Sequence, residues 1–179
     1  MKKKLAILYG GWSYESYLCG YQAIINAVNK LNMYEVQSFK CDSKSLIPDL
    51  ITFAPDVAFL ASHGTYHEDG KLQSVLEYLD IPYNGSGVTA SAVGMSKIAS
   101  KLAFIGAGIK CAPYKILNKD DSAHISFNEV QHEFGTPFVI KPVTGGASVG
   151  LASIVTEEDY NNKIDVLLNE SGSVMIEKC

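Results

Sequence analysis

Residues 138–150 read FVIKPVTGGASVG, and this stretch decides how the later half of the chain is interpreted. A short apolar run ends at Lys141, a loop of small residues follows, and a second apolar run begins at Leu151. The pattern predicts two strands joined by a glycine-rich loop, whose backbone N–H groups and single ammonium suit an anion such as phosphate. It is not a Walker loop, because no Gly-Lys-Ser/Thr sequence follows and the loop leads into a strand. Taken alone, such a stretch is more often a plain hairpin turn.

The earlier part of the chain alternates short apolar runs with helical patterns. Strands are predicted at residues 5–9, 34–39, 57–61 and 81–83, and helices near residues 18–31, 46–53, 72–79 and 88–104. This alternation predicts an open α/β fold with a parallel sheet, in which ligands bind beyond the carboxyl ends of the strands. Glu15 and His63 follow the first and third predicted strands, so both are placed at that edge.

After Pro113, short strands dominate the pattern. They are predicted at residues 114–117, 138–141, 151–155 and 174–177, with helices near residues 127–134 and 157–168. We therefore predict an N-terminal open parallel-sheet domain over residues 1–111 and a smaller α+β unit over residues 112–179.

The composition limits the classes of function. The chain has 179 residues, 47% of them hydrophobic and 19% charged, which suits one large globular domain or two small ones. The net charge of −4, with no basic run beyond residues 2–4, argues against a nucleic-acid partner. No apolar run is long enough to span a bilayer and no signal-peptide pattern is present, so we expect a cytoplasmic protein without membrane association. The four cysteines are scattered without a CxxC pair, which favours neither a zinc site nor a disulfide framework.

The block HGTYHEDG at residues 63–70 places an imidazole and two carboxylates near the end of the third predicted strand. His63 with Glu68 and Asp69 suggests substrate recognition or a charge relay. The alternative is a solvated loop in which Asp69 caps the next helix. Glu15 suggests a partner for a substrate ammonium, and its alternative role is a favourable charge in the first turn of a helix. His67 is expected to be exposed.

Lysines are the candidate phosphate ligands. Lys97 and Lys101 share one face of a predicted helix at positions i and i+4, and the alternative for Lys97 is a solvated helix face. Lys141 ends an apolar strand beside the glycine loop, where a cation without an anion would be partly desolvated at a cost. Lys97 and Lys141 are therefore both candidates for contacting a nucleotide phosphate.

Five segments occur together and in order along the chain. They are GGWSYES (10–16), HGTYHEDGKLQS (63–74), GSGVTASAVGMSK (85–97), KPVTGGASVG (141–150) and VMIEK (174–178). This set resembles the D-alanine–D-alanine ligases of the ATP-grasp superfamily over nearly the whole chain. The resemblance implies a Rossmann-like pre-ATP-grasp domain, followed by the smaller ATP-grasp subdomain that carries the phosphate loop.

The resemblance implies an activity as well. The family joins two D-alanines for peptidoglycan: ATP and magnesium convert one carboxylate into an acyl phosphate, which the amine of the second D-alanine then attacks. A homodimer formed through the N-terminal domain is implied too, because the family is usually dimeric there. The alternatives are an ATP-grasp ligase for a different carboxylate and amine, or a non-catalytic remnant that binds a nucleotide or a partner.

Site residues follow from the same resemblance. Glu15 matches the residue that positions the amine of the first D-alanine, and His63 matches the one near its carboxyl group. Lys97 and Lys141 match lysines on the ATP phosphates. The phosphate-covering loop corresponds to Gly145, Gly146, Ala147 and Ser148, and the hinge that borders adenine begins at Glu177 and Lys178. Glu15 and Ser148 are the two catalytic candidates among these residues.

The chain departs from the family pattern at four positions. Ala147 stands where a hydroxyl usually links the loop to Glu15 and to a closing-lid tyrosine, and His67 replaces a usual glycine. Ser96 replaces an aspartate, and Cys19 replaces a serine. These differences affect the contacts that close the site over the substrate more than the residues expected to bind the nucleotide.

The sequence ends at Cys179, just inside the hinge, so the family's second ATP-grasp lobe is not within it. No set of metal ligands can be assigned within residues 1–179, and the magnesium ligands are expected in that lobe. Either the chain is a fragment or it is a naturally truncated relative. We expect that it does not turn over ATP with D-alanine by itself.

Overall fold

The computed structural model describes residues 2–11, 20–121 and 125–179. The chain forms two compact units, Met1–Met95 and Ser96–Cys179. This division precedes the domain boundary predicted between residues 111 and 112, because the helix over residues 97–106 is grouped with the second unit. The boundary at residue 111 stays a prediction about the domains of the family.

The first unit is built on a parallel sheet. Its described elements are β1 (Lys3–Gly11), α1 (Tyr21–Leu31), β2 (Tyr34–Lys40), α2 (Leu46–Phe53), β3 (Val57–His63), α3 (Lys71–Tyr78) and α4 (Val88–Met95). The strand order is β2-β1-β3, and both pairings are parallel. The prediction of an α/β unit with a parallel sheet is confirmed for these residues.

The central strand β1 has helices against both of its faces. Its residues 5–8 are all buried, and they alternate between two apolar layers. Ala6 and Leu8 face the layer formed with α2 and α3, whereas Leu5 and Ile7 pack against α1. Burial on both faces is why this strand is a continuous apolar run in the sequence.

Two predicted elements differ in the structure. The strand expected at residues 81–83 is reduced to one parallel bridge between Ala58 and Tyr83, because Pro82 has no N–H with which to extend a ladder. The helix expected over residues 88–104 is divided into α4 and a second helix, because Ser96 adopts an extended conformation between them in the chain.

The second unit is an antiparallel sheet with helices. Its described elements are α5 (Lys97–Gly106), β4 (Tyr114–Asn118), α6 (Phe127–Phe134), β5 (Phe138–Pro142), β6 (Ala152–Ile154), α7 (Glu157–Ser171) and β7 (Ser173–Lys178). The strand order is β4-β7-β5-β6, and every pairing is antiparallel. No helix in the described ranges of either unit is both long enough and apolar enough to cross a bilayer.

The two faces of this antiparallel sheet differ in chemistry. Phe138, Ile140 and Ile176 belong to the apolar core that α6 and α7 cover. Because side chains alternate along a strand, Lys141 and Glu177 lie on the opposite face. That face holds the ion pair between Lys141 and Glu177.

Candidate functional site

The stretch of residues 138–150 forms β5 and the loop that leads into β6. These strands pair antiparallel, so the stretch is a hairpin as well as a candidate anion-binding loop. Ala147 and Ser148 adopt left-handed backbone conformations, with φ of 52° and 57°, and Val149 N donates to Gly146 O at 3.1 Å to close a tight turn. Residues 144–149 are exposed, so their backbone groups are accessible to a ligand.

Gly150 fixes the end of this loop against the sheet. Its φ is +73°, and a Cβ at this position would lie 2.8 Å from Pro142 Cγ and 3.0 Å from Leu167 Cδ2. Glycine alone adopts this conformation without strain or a clash. The close approach holds the end of the loop near β5 and α7.

Lys97 connects the glycine loop to the start of α5. Ser96 forms an isolated bridge with Thr144, and Lys97 N donates to Val143 O at 2.9 Å. The Lys97 ammonium donates to Gly145 O at 3.0 Å. Burial, followed by repulsion from Lys141, lowers the pKa of Lys97. The structure thus brings this lysine and the loop together, in a setting that a bound anion would stabilise.

Glu177 is held between two lysines. Lys101 Nζ lies 2.5 Å from Glu177 Oε1, and Lys141 Nζ donates to Glu177 Oε2. Burial raises the pKa of Glu177, but hydrogen bonds from the two lysines outweigh burial and hold that pKa below its ordinary value. The carboxylate is therefore ionised at neutral pH, and the group of three carries a net positive charge.

Lys101 is the member of this group that was not predicted from the sequence to be a site residue. The residue is 9% exposed, its ammonium donates to Ala112 O at 2.9 Å, and Nζ lies 4.8 Å from the centroid of the Tyr114 ring. The available signal was its i, i+4 spacing from Lys97. That spacing places two lysines on one helix face but does not tell which of them is buried.

Three further candidates are less informative. Ser148 is exposed in the loop, and Lys178 is an exposed residue whose backbone N donates to Pro113 O at 3.0 Å. Glu15 lies outside the described residues, as does Cys19. The structure therefore gives no position for the residue expected to hold the substrate ammonium.

His63 lies at the carboxyl end of β3 in the first unit. Its Nδ1 lies 3.4 Å from Glu68 Oε1, and Glu68 Oε2 accepts a hydrogen bond from Gly64 N at 2.7 Å. Asp69 accepts from Lys71 N at 3.2 Å and from Lys71 Nζ at 2.9 Å, so it stabilises the start of α3. Glu68 therefore pairs with the imidazole, whereas Asp69 precedes the N-cap residue Gly70 and accepts from the first residue of α3. Substrate recognition by His63 stays a prediction.

The expectation that His67 is exposed was wrong. The residue is 2% exposed, and neither ring nitrogen has a hydrogen-bond partner among the described residues. Gln73, which lies in α3, donates a hydrogen bond from Nε2 to His67 O at 2.9 Å and so holds the loop of residues 64–70 against this helix. Burial is the main cause that lowers the pKa of His67.

The described part of the chain offers no metal site of its own. No group of three or more His, Cys, Asp or Glu side chains within it could hold a metal ion. The magnesium ion that the resemblance implies therefore finds no ligand set among these residues.

Comparison with known proteins covers both units. A family model described as "D-ala D-ala ligase C-terminus" matches residues 103–179. The D-alanine–D-alanine ligase of Acinetobacter baylyi is 37% identical over 177 residues, which are 98% of this chain and 55% of that protein. A second relative, from Trichlorobacter lovleyi, is 43% identical over 123 residues, which are 69% of this chain and 38% of that protein. The chain spans about half the length of the curated relatives it matches.

Solved structures give the same result at the level of the fold. A D-alanine–D-alanine ligase from Bacillus anthracis has a TM-score of 0.82 at 32% identity, covering 99% of this chain and 57% of that one. A ligase from the same organism complexed with ATP has a TM-score of 0.81 at 30% identity, covering 99% and 58%. The sequence matches and the structural matches both extend over almost the whole length of the chain. On this evidence the chain belongs to the D-alanine–D-alanine ligase family.

Proposed function

We propose that this chain contributes the substrate and nucleotide-phosphate sites of an ATP-dependent ligase that joins two D-alanines for peptidoglycan precursor synthesis. In this reaction ATP phosphorylates the carboxylate of one D-alanine, and the amine of the second attacks the acyl phosphate and displaces phosphate. The observation that carries the proposal is the cluster of lysines around Glu177 beside the glycine loop.

This cluster has more positive charge than its carboxylate neutralises. Glu177 pairs with Lys101 and Lys141, whereas Lys97 donates to a backbone carbonyl and has a lowered pKa because it is partly buried. A polyphosphate would supply the missing negative charge. Phosphoryl transfer depends on such positioning and charge neutralisation more than on covalent help from the protein.

The glycine loop supports the same assignment. A turn that contains left-handed residues exposes backbone N–H groups, which form anion-binding concavities in many phosphate sites. Ser148 adds a hydroxyl, whereas Ala147 has none. We therefore assign phosphate binding to Gly145, Gly146, Ala147 and Ser148, with Lys97 and Lys141, and the border of the adenine site to Glu177 and Lys178.

The substrate side belongs to the first unit in this proposal. His63 binds near the carboxyl group of the first D-alanine, with its ring oriented by Glu68 beside Nδ1. Glu15 binds the ammonium of the same D-alanine. The support for these roles is the family resemblance together with the names of the relatives, which specify D-alanine.

Calorimetric titration with ATP tests the nucleotide part of the proposal. We expect weak binding that decreases with salt, because it depends on charge. Lys141→Met should lower the affinity by about tenfold or more, since it removes a charge-assisted contact with phosphate. Lys115→Met is the matched control, because Lys115 pairs with Glu133 at 2.6 Å and should leave ATP affinity unchanged. A chain that binds no ATP would contradict the proposal.

Turnover is a separate expectation. We expect no release of phosphate when this chain is mixed with ATP, magnesium and D-alanine, in an assay that uses the intact Bacillus anthracis ligase as the positive control. Phosphate release at a rate comparable to that control would overturn this expectation.

A second candidate function is an ATP-grasp ligase for a different carboxylate and amine. The observation that favours it is the buried His67 in the same loop as His63, where the family usually has glycine. Competition of D-alanine with other amino acids for binding in the presence of ATP separates the candidates, and preference for D-alanine would remove the second one. The homodimer that the resemblance implies is a further proposal, which analytical ultracentrifugation tests.

A further inference from the structure

The two lysines that hold Glu177 differ in how firmly they are fixed. Lys101 is nearly buried, and its ammonium contacts the carboxylate, the carbonyl of Ala112 and the ring of Tyr114. In the part of the chain that the structure describes, the Lys141 ammonium donates to Glu177 alone. Lys101 therefore has three contacts to lose on leaving the carboxylate, whereas Lys141 has one.

One lysine is enough to neutralise Glu177. With two lysines present, the carboxylate shares its oxygens, Oε1 with Lys101 and Oε2 with Lys141. If the Lys141 ammonium moves to a bound anion, Glu177 is still paired with Lys101 through Oε1. Without Lys101, the same movement would leave the partly buried Glu177 carboxylate without a cation, which costs desolvation free energy. The unpaired carboxylate would also repel the incoming anion.

We propose that Lys101 is a positioning residue that retains Glu177 so that the Lys141 ammonium can pass from this carboxylate to a phosphate group. The proposal rests on the function proposed above and concerns how the phosphate site opens. Lys141 exchanges one anionic partner for another, and Glu177 stays in place on Lys101.

The position of α5 agrees with this division of roles. Lys97, one turn before Lys101 on the same helix, donates to Gly145 O in the glycine loop, whereas Lys101 contacts Glu177 in β7 and Ala112, two residues before β4. The helix thus directs one lysine to the loop and the other to the sheet. The contacts of Lys101 with Glu177, Ala112 and Tyr114 restrict the movement of its ammonium, so Lys101 is poorly suited to be a mobile phosphate ligand.

Titration with inorganic tripolyphosphate tests the proposal, because this probe has the phosphates of ATP without adenine. The variants are Lys101→Met, Glu177→Gln, the double variant, and Lys115→Met as a control lysine paired with Glu133. Lys101→Met should weaken binding about tenfold, since Glu177 then competes for Lys141. Adding Glu177→Gln should restore the affinity, because no carboxylate remains to hold Lys141. Lys115→Met should bind as the unchanged chain does.

The double variant decides between the explanations. If Lys101 contacts phosphate directly, or if it serves packing alone, Lys101→Met stays weak whether or not Glu177 is changed, and the proposal is overturned. Circular dichroism checks that each variant is folded.

A ligand-free measurement separates this proposal from the proposed function. In the chain labelled with ¹³C-glutamate, the titration of the Glu177 carboxyl should move to higher pH in Lys101→Met and stay in place in Lys115→Met. No movement would overturn the hold of Lys101 on Glu177. Absence of tripolyphosphate binding by the unchanged chain, with that movement present, would instead overturn the proposed phosphate site.

Discussion

A buried imidazole with unpartnered nitrogens is costly, and His67 is such a group among the described residues. Burial favours its neutral form and outweighs the nearby carboxylates of Asp42, Asp69 and Glu68, which act in the opposite direction. The net result is a pKa below the ordinary value. The protonation of this ring is therefore linked to the stability of the first unit.

We expect the free energy of unfolding to decrease as pH falls below the ordinary histidine pKa of 6.5. Because the pKa of His67 is lowered in the folded chain, the unfolded chain binds more protons in this range, and acid favours unfolding. His67 contributes its full stability above pH 6.5 and loses it toward its folded pKa, at up to about 1.4 kcal/mol per pH unit. Urea unfolding measured at several values between about pH 8 and about pH 5 gives this slope.

Two substitutions identify the group responsible. His67→Gln removes the titrating ring and should flatten the pH dependence over this range. His132→Gln removes an exposed histidine at the end of α6 and should leave the dependence as it is in the unchanged chain. A His67→Gln variant with the original slope would assign the effect to other groups.

Burial of single polar residues was the property least accessible from the sequence. His67 stands in a polar stretch and Lys101 is a charged residue on a predicted helix, so neither was expected to be buried. In the structure Lys101 contacts Ala112, Tyr114 and Glu177, and the loop that contains His67 is bonded to α3. These contacts depend on residues distant in sequence or on the path of a loop. Periodicity carries no information about either.

At the level of elements, apolar runs predicted the strands well. The runs at residues 5–9, 57–61, 138–141 and 174–177 all lie in strands, because burial on at least one face requires them to be apolar. The prediction failed where a single residue changed the backbone. Pro82 reduced a strand to a bridge, and Ser96 interrupted an otherwise helical pattern.

Ser96 is the N-cap of α5, and we expect this role to control the lysine cluster. Its side chain accepts a hydrogen bond from Ala99 N at 3.3 Å. Ser96→Ala should cost about 1 kcal/mol of stability and also weaken tripolyphosphate binding, because α5 carries Lys97 and Lys101. Ser96→Asp should preserve both properties, since aspartate caps helices as well as serine does. Urea unfolding and calorimetry measure the two effects.

The control for this prediction is another capped helix. Thr156 caps α7 by accepting from Asp159 N at 3.2 Å, and α7 bears none of the cluster lysines. Thr156→Ala should therefore cost a similar amount of stability and leave tripolyphosphate affinity unchanged. If the two alanine variants weaken binding equally, the effect of Ser96 is a general loss of stability.

At the level of the whole molecule, the chain has separate apolar cores in its two units. The layers around β1 are drawn from the first unit, and the core under the antiparallel sheet is drawn from residues 117–176. The sequence predicted the change from an open parallel-sheet unit to a smaller α+β unit, because short strands dominate the pattern after Pro113. It did not predict the strand order β4-β7-β5-β6, since that order places sequence-distant strands side by side.

Separate cores predict that a ligand of one unit stabilises that unit first. Hydrogen exchange measured by mass spectrometry, with and without tripolyphosphate, should show slower exchange in residues 96–179, most of all near the glycine loop, and little change before residue 95. At a ligand concentration of about 100 times Kd, the amides that exchange by unfolding of the second unit should slow about 100-fold. Lys141→Met, with an affinity about tenfold lower, should show only about tenfold slowing at the same concentration. Equal protection of both units would mean that they unfold as one cooperative structure, and the expectation of independent stabilisation would then be wrong.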